Sequence, residues 1–183
     1  MLNGIIFVER KLKSYNMKTI VLSLMAIFFS VLSIFAQIKV YKGTSTYSSD
    51  VICNLSESKV YKNNSSYTSE VKCNIKGNKI YKNNSSYSSD VIYNIIDGKV
   101  YKNNSSYSSD IVMTINEGKI YEGTSSYTSD IIATVREGKV YKGTSSYSSD
   151  IEFAIDGDVT IEEFVAIWYA VKYGWNWWNI IYN

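Results

Sequence analysis

Carboxylate side chains recur every twenty residues in the middle of this 183-residue chain. They are Asp50, Glu70, Asp90, Asp110, Asp130 and Asp150. Oxygen ligands of this kind bind hard cations such as calcium. Alternatively, each carboxylate accepts hydrogen bonds from Ser or backbone groups of its own loop. We favour the second interpretation, because equivalent strands of adjacent hairpins lie about 10 Å apart, too far for two copies to share one ion.

Lysines share a second position of the same period, with Glu122 interrupting the series. They are Lys42, Lys62, Lys82, Lys102 and Lys142. We expect them at the same end of the fold as the carboxylates, where the two sets neutralise each other. An anion site for a phosphate or a lipid headgroup is the alternative.

Tyrosines occupy a third repeated position, inside segments rich in Ser, Thr, Asn and Gly. They are Tyr47, Tyr67, Tyr87, Tyr107, Tyr127 and Tyr147. This composition is typical of adaptable binding surfaces such as antibody loops. Repetition of one fold-determining loop explains it equally well, and we favour that structural explanation for the loops taken alone.

Catalytic chemistry has little support in the sequence. The chain contains no His, the usual general base and activator of nucleophiles. Six equivalent carboxylates do not single out an acid and a base, and no phosphate-binding loop or metal-ligand spacing is present. We therefore predict a protein that is not an enzyme and has no cofactor. Cys53 and Cys73 share one repeat position, so the strand spacing keeps them beyond disulfide reach and predicts two buried free thiols.

The repeated residues belong to six units of twenty residues that run from Lys39 to Asp158. With the opening Lys as position 1, positions 13, 15 and 17 are mostly apolar, as in Val51, Cys53 and Leu55. This alternation predicts a strand with one buried face. An acidic residue followed by Gly, as in Asp97-Gly98, then predicts a two-residue hairpin turn.

Each unit therefore contributes one hairpin, with one strand left over at each end, at 38–42 and 150–155. Pairing these two strands removes the open edges that promote aggregation. The sequence predicts a mainly β protein: a closed antiparallel barrel of about twelve strands.

The C-terminal segment predicts a buried helix. Thr160 and Glu163 form a capping box, residues 164–171 are apolar on every side, and Gly174 suits a helix end. We expect this helix to fill the barrel and to return the chain to the end that carries the Tyr segments. The tail beyond it, with Trp175, Trp177 and Trp178, is either a lid over the barrel mouth or an exposed patch for a partner, a glycan or a membrane interface.

The N-terminal segment predicts export. A basic start at Lys18, an apolar run to Phe35 and the small residue Ala36 are typical of a signal peptide over residues 17–36. Cleavage after Ala36 is the favoured interpretation, and a retained anchor is the alternative. Without residues 1–36 the chain has 15 basic and 16 acidic residues, a balance that gives no electrostatic reason to bind nucleic acid.

The repeat K-V-Y-K-G-x-S-x-Y-S-S-D-I, followed by an apolar helix, resembles the β-flower repeat proteins, particularly the five-fold β-flower family. The resemblance covers residues 38 to about 173. These proteins are similar in outline to the Tubby C-terminal domain, a twelve-stranded barrel around a central helix. The resemblance implies this fold and no established activity. Tubby-like domains bind phosphoinositides, but no motif here maps onto their binding residues.

The predicted organisation is a leader (1–36), a six-repeat barrel (37–158), and a helix with its aromatic tail (159–183) in the same domain. The predicted function is an exported binding module of the periplasm, cell surface or medium. It would bind a glycan, a lipid headgroup or a cell-envelope protein through the Tyr segments and the Trp tail. Membrane contact would run through the tail or an uncleaved leader. The alternative function is a purely structural envelope or surface protein.

Overall fold

The structure of the chain, a computed structural model, describes residues 37–174. One antiparallel sheet of twelve strands closes on itself, because β1 pairs with β12 as well as with β2. The strands are β1 (Ile38–Lys42), β2 (Val51–Ser56), β3 (Lys59–Lys62), β4 (Val71–Lys76), β5 (Lys79–Lys82), β6 (Val91–Ile96), β7 (Lys99–Lys102), β8 (Ile111–Asn116), β9 (Lys119–Glu122), β10 (Ile131–Arg136), β11 (Lys139–Lys142) and β12 (Ile151–Asp156). The predicted twelve-stranded closed barrel is confirmed.

Tight two-residue turns close one end of the barrel, which we call the turn rim. In the turn between β6 and β7, Asp97 and Gly98 have φ angles of 50° and 74°. A Cβ atom on Gly98 would lie 2.6 Å from the carbonyl oxygen of Ile115, so this position requires glycine. Glu57 and Ser58 have the same positive φ angles, 49° and 59°, without a glycine. The weakest turn signal in the sequence therefore still forms the turn.

A β-bulge in each longer strand corrects the predicted buried face. In β2, Cys53 pairs with Val40, which faces the interior, whereas Val51 pairs with Tyr41 because the register shifts between them. Directly paired residues share a face, so Val51 lies on the outer face with Tyr41. The side chains at position 13 are therefore buried on the outer face of the sheet and not in the barrel interior. The prediction that they share the inner face with positions 15 and 17 is wrong. One inserted residue reverses the alternation, which period-two counting does not detect.

The interior is apolar and closely filled. Position 2 supplies a ring of fully buried aliphatic side chains, and position 15 supplies residues of different size around it. The first ring is Val40, Val60, Ile80, Val100, Ile120 and Val140, and the second includes Cys53, Cys73, Met113, Ala133 and Phe153. Both cysteines are free and buried, as predicted.

Helix α1 (Ile161–Tyr173) lies inside the barrel. Its residues Phe164 to Trp168 are all buried in the same cluster as the inward strand residues. The Cys73 thiol donates to the carbonyl of Ala166 at 3.5 Å, and the Trp168 ring lies 6.3 Å from that of Phe153. The predicted buried helix is confirmed. None of the helices in residues 37–174 has the length and apolar character needed to cross a bilayer.

The helix begins as the sequence predicts. Thr160 Oγ1 accepts from the Glu163 N–H at 3.3 Å, and the Thr160 N–H donates to Glu163 Oε2 at 2.9 Å. This reciprocal pair satisfies two backbone groups that would otherwise lack partners. It sets the point at which the chain leaves β12 and enters the barrel.

Polar side chains at position 16 attach the outer face to the loops at the other end. Asn54 Nδ2 donates to the carbonyls of Asn63 and Ser65, at 2.8 and 2.9 Å. Thr114 and Thr134 make the equivalent contact with a single hydroxyl, to the carbonyls of Gly123 and Gly143. Five of the six loops are thus held by the longer strand of the preceding hairpin, whereas position 16 of β12 is Ala154, which has no side-chain donor for residues 43–50.

The burial of helix α1 inside the barrel is tested by Ile167→Asp. An unpaired charge in this fully buried position costs several kcal/mol, comparable with the whole stability of about 5–15 kcal/mol of a domain. We expect loss of the cooperative thermal transition in circular dichroism. Ile161→Asp is the control, because Ile161 is 41% exposed and a carboxylate suits the first helical turn. Equal melting temperatures for the two variants would contradict a buried helix.

The turn at Ser58 offers a second test. Asn78 Nδ2 donates to Asn94 Oδ1 at 2.9 Å, whereas the corresponding Asn74 Oδ1, opposite Ser58, has no partner. Ser58→Asn should supply the missing donor and raise the free energy of unfolding by about 1 kcal/mol. Ser58→Asp is the control, since Asp also tolerates positive φ but its carboxylate cannot donate. The hydrogen-bond explanation fails if urea unfolding shows the same gain for both.

Candidate functional site

The loops opposite the turn rim form what we call the loop rim, and each has the same internal frame. They are residues 43–50, 63–70, 83–90, 103–110, 123–130 and 143–150. In the first, the Ser45 N–H donates to the Lys42 carbonyl, Ser45 Oγ accepts from the Tyr47 N–H, and the Asp50 N–H donates to the Tyr47 carbonyl. These hydrogen bonds hold the loop without using the Tyr side chain.

The position-5 residue starts each loop in the left-handed region of φ. Gly43, Gly123 and Gly143 occupy it in three loops, and Asn63, Asn83 and Asn103 in the others, with φ from 49° to 56°. Gly and Asn are the residues that adopt this conformation most readily. The restriction of this position to Gly and Asn is therefore explained by the positive φ angle that the loop requires.

The repeated carboxylates close their own loops. Ser45 Oγ donates to Asp50 Oδ2 at 2.5 Å, and the same Ser–Asp bond forms in four further loops. Hydrogen bonds from Ser125 and Ser129 lower the pKa of Asp130, as expected for donors to a charged carboxylate. In residues 37–174, no group of three or more Cys, Asp or Glu side chains is arranged to hold a metal ion. Loop closure, the favoured interpretation, is confirmed for the five Asp residues.

The second loop keeps the backbone frame but lacks the Ser–carboxylate bond. Ser65 Oγ still accepts from the Tyr67 N–H at 3.1 Å, but within the described chain its hydroxyl makes no bond to Glu70. The longer Glu side chain replaces the Asp that closes the other loops. Glu70, Lys62, Ser65 and Tyr67 instead line an open groove of about 380 Å³.

The loop tyrosines are the most exposed repeated feature of the barrel. All six have 73–75% of their surface exposed, although several strand tyrosines such as Tyr61 and Tyr101 are buried. The backbone at Tyr47 is extended, with φ −79° and ψ 140°, and the other five copies match it closely. Asn64 Nδ2 donates to the Ser48 carbonyl at 2.9 Å, so the first two loops touch. The predicted Tyr positions thus form one outward-facing ring.

The lysines of position 4 lie at the loop rim but do not pair with the carboxylates by contact. For Lys42, Lys62, Lys82 and Lys102, no carboxylate in residues 37–174 lies within 4 Å. These four lysines therefore form no direct ion pair with the carboxylates of the loops, and mutual neutralisation of the two sets stays a prediction. The structure brings Lys62 and Tyr67 into one groove, as described above.

The C-terminal end of α1 reaches the mouth of the barrel at the loop rim. Lys172 Nζ lies 2.6 Å from Glu152 Oε2, and burial lowers the pKa of Lys172 while this carboxylate opposes the effect. A groove of about 290 Å³ beside them is lined by Lys42, Lys142 and the apolar Val171. The expected direction of the helix is confirmed. Trp175, Trp177 and Trp178 lie outside the described residues.

Aromatic residues at the mouth were missed by the sequence analysis. The rings of Tyr93 and Tyr169 meet edge to face at 5.9 Å, and Lys72 Nζ lies 5.6 Å from the Tyr169 ring. Burial raises the pKa of Tyr93 to about 12. The signal was present in the sequence as Tyr93 at an inward position and Lys72 beside it. Lys72 is the residue inserted at the bulge of β4 and therefore faces the helix, whereas Tyr93 lies on the position-15 face that was already predicted to be inward.

The two thiols are not candidates for chemistry. Burial raises the pKa of both cysteines, and that of Cys73 to about 12, so neither forms a thiolate near neutral pH. They pack as small apolar side chains against the helix.

Comparison with known proteins gives one match. The family model described as 6-fold beta flower protein matches residues 31–168. No curated protein and no solved structure matches the chain. The β-flower resemblance is confirmed, with the six-fold rather than the five-fold type, in agreement with the six units of the barrel. The chain belongs to the family of 6-fold beta flower proteins.

Proposed function

We propose that this protein is an exported, non-enzymatic module that binds a neutral glycan through the ring of loop tyrosines. The observation that carries the proposal is the exposure of six equivalent Tyr side chains, 73–75% each. The loops that carry them are held by hydrogen bonds in which the Tyr side chains take no part. Neither the core nor the loop frame uses these rings. A ring of large exposed aromatic side chains on a folded protein is typical of an interaction surface.

The chemistry of the loop tips favours a polyhydroxylated ligand. In every loop, positions 8–11 are exposed and contain only Ser, Thr and Tyr, as in Thr46-Tyr47-Ser48-Ser49. Hydroxyl groups both donate and accept hydrogen bonds, and a Tyr ring offers a flat apolar surface. Together they suit the hydroxyl groups and the apolar ring faces of sugars. The absence of charge at these positions does not favour a strongly anionic ligand.

The six-fold arrangement favours a ligand that repeats. Equivalent loops follow strands about 10 Å apart or more around the barrel, so several loops can contact one polymer or one coated surface. Linked weak contacts then give an overall affinity far above that of a single loop. A small monomeric ligand would not gain from this repetition, because it would not contact several loops at once.

A catalytic role is not proposed. The chain has no His, and five of the six ring carboxylates are hydrogen-bonded within their own loops. Export is proposed from the leader, whose apolar run ends at Ala36.

The Tyr ring is tested by alanine substitutions of two, four and six loop tyrosines in residues 37–183. Each Tyr→Ala change should weaken binding by about 1 kcal/mol, so affinity for the bound polysaccharide of a panel should fall stepwise. Tyr→Phe at the same six positions is the matched control, and it should retain most binding if the aromatic face carries the contact.

The melting temperature separates binding from structure in the same series. Because the side chains are exposed, we expect stability changes within about 0.5 kcal/mol per site. A marked fall in melting temperature, with no polysaccharide bound by the unsubstituted chain, would support the purely structural alternative. Binding only to vesicles that contain phosphatidylserine would instead indicate an anionic lipid ligand at the lysines.

Cleavage of the leader is tested by intact mass and N-terminal sequencing of the protein expressed from the full chain. The expected first residue is Gln37, after removal of residues 1–36. Recovery of protein that still begins within residues 1–36, in the membrane fraction, would show a retained anchor.

A further inference from the structure

We propose that the six loops are not equivalent in binding, and that the second loop (63–70) recognises an amide-bearing sugar of the N-acetylhexosamine class. This inference rests on the proposed function. It is carried by an unpartnered carbonyl on one side of this loop and by its missing Ser–carboxylate bond on the other.

The unpartnered carbonyl belongs to Asn54. Asn54 is fully buried, its amide nitrogen holds the loop, and its Oδ1 has no hydrogen-bond partner within residues 37–174. Asn74 Oδ1 is also unpartnered, but the third loop, which Asn74 holds, keeps its Ser85–Asp90 bond, so only the second loop combines the two features. A groove of about 190 Å³ is lined by Asn54, Ser56, Glu57, Tyr61, Ser65 and Ser66, with Gln37 at its edge. A buried acceptor without a donor is unfavourable, and a hydrogen-bond donor on a ligand would satisfy it.

The barrel itself indicates which group completes such a site. At the equivalent position of the third unit, the amide N–H of Asn78 donates to Asn94 Oδ1 at 2.9 Å. The residue that would play this part for Asn54 is Ile38, which has no donor in its side chain. Asn54 Oδ1 can therefore accept a hydrogen bond from an amide N–H of a ligand. The equivalent oxygen of Asn94, two hairpins along the chain, accepts from the amide of Asn78 in the same way.

The other side of the same loop is open for a different reason. Without the bond between Ser65 and Glu70, the Ser65 hydroxyl and the Glu70 carboxylate both line the groove that also contains Lys62 and Tyr67. Ser65 belongs to both grooves, so they meet at this residue. In the other loops the Asp carboxylate takes up the Ser hydroxyl.

The combined surface matches an acetamido sugar better than a plain hexose. Asn54 Oδ1 and Glu57 are acceptors for an amide N–H, and Lys62 is a donor for a carbonyl or hydroxyl oxygen. The Tyr67 ring, 74% exposed, provides the flat face beside them. A glucose unit offers hydroxyl groups but no amide.

The experiment compares two probes by isothermal titration calorimetry with residues 37–183: the linear hexamer of N-acetylglucosamine and the glucose hexamer of the same linkage. We expect the first to bind at least about tenfold more tightly, a difference of about 1.4 kcal/mol.

The variants are taken from the chain's own alternatives. Asn54→Thr keeps one of the two bonds to the loop, as Thr114 and Thr134 do, but removes the side-chain carbonyl and the bond to Ser65. It should abolish the preference for the acetamido hexamer over the glucose hexamer. Asn94→Thr is the matched control, because Asn94 Oδ1 is already occupied by Asn78. Glu70→Asp should restore the Ser65 bond and weaken binding, whereas Asp130→Glu should not.

The outcomes distinguish this inference from the proposed function. If Asn54→Thr has no effect, or if Tyr67→Ala and Tyr127→Ala lose affinity equally, the second loop is not special and the inference is wrong, while glycan binding by the ring stands. Equal affinity for the two hexamers, or none for either, also overturns it. Only a panel of polysaccharides without any bound member would remove the proposed function as well.

Discussion

Burial of an apolar helix inside a closed sheet is the interaction on which the rest of the structure depends. Twelve strands enclose a space that their own inward side chains do not fill, and α1 supplies the missing apolar volume. Val165, Ala166 and Ile167 are fully buried, and the surrounding residues of positions 2 and 15 are buried with them. Without the helix, both surfaces would face water, which costs about 25 cal/mol for each Å² of apolar surface exposed.

Closure of the barrel has a second consequence. It leaves the loops as the main exposed segments of the fold. Strand edges are all paired, and the turn rim consists of two-residue turns. The Ser–Asp bond then closes five of the six loops, and in all six the Tyr side chain is exposed. A rigid scaffold that holds adaptable polar and aromatic loops is a common way to build a binding surface.

Repetition also makes departures from the repeat informative. Glu70 in place of Asp, Asn78 in place of Gly, and Thr114 in place of Asn each change one hydrogen bond in an otherwise constant frame. Each departure can be compared with its intact copies in the same molecule. Asn54 Oδ1 and Asn74 Oδ1, which lack a partner within residues 37–174, can therefore be compared with Asn94 Oδ1, which accepts from Asn78.

The repeat, the number of strands and their closure could be predicted from the order of the residues, because each twenty-residue unit restates one local pattern. The buried helix, which occurs once, could be predicted because its residues are apolar on every side. The capping box at Thr160 and the turn at Asp97-Gly98 are signals of the same local kind. Three features became visible only in the folded structure. They are the position of Val51 on the outer face of the sheet, the ion pair of Lys172 with Glu152, and the unpartnered carbonyl of Asn54. The reason is physical: a single bulge reverses which face a residue occupies, and a hydrogen bond between residues on different strands depends on register that neighbouring residues do not encode.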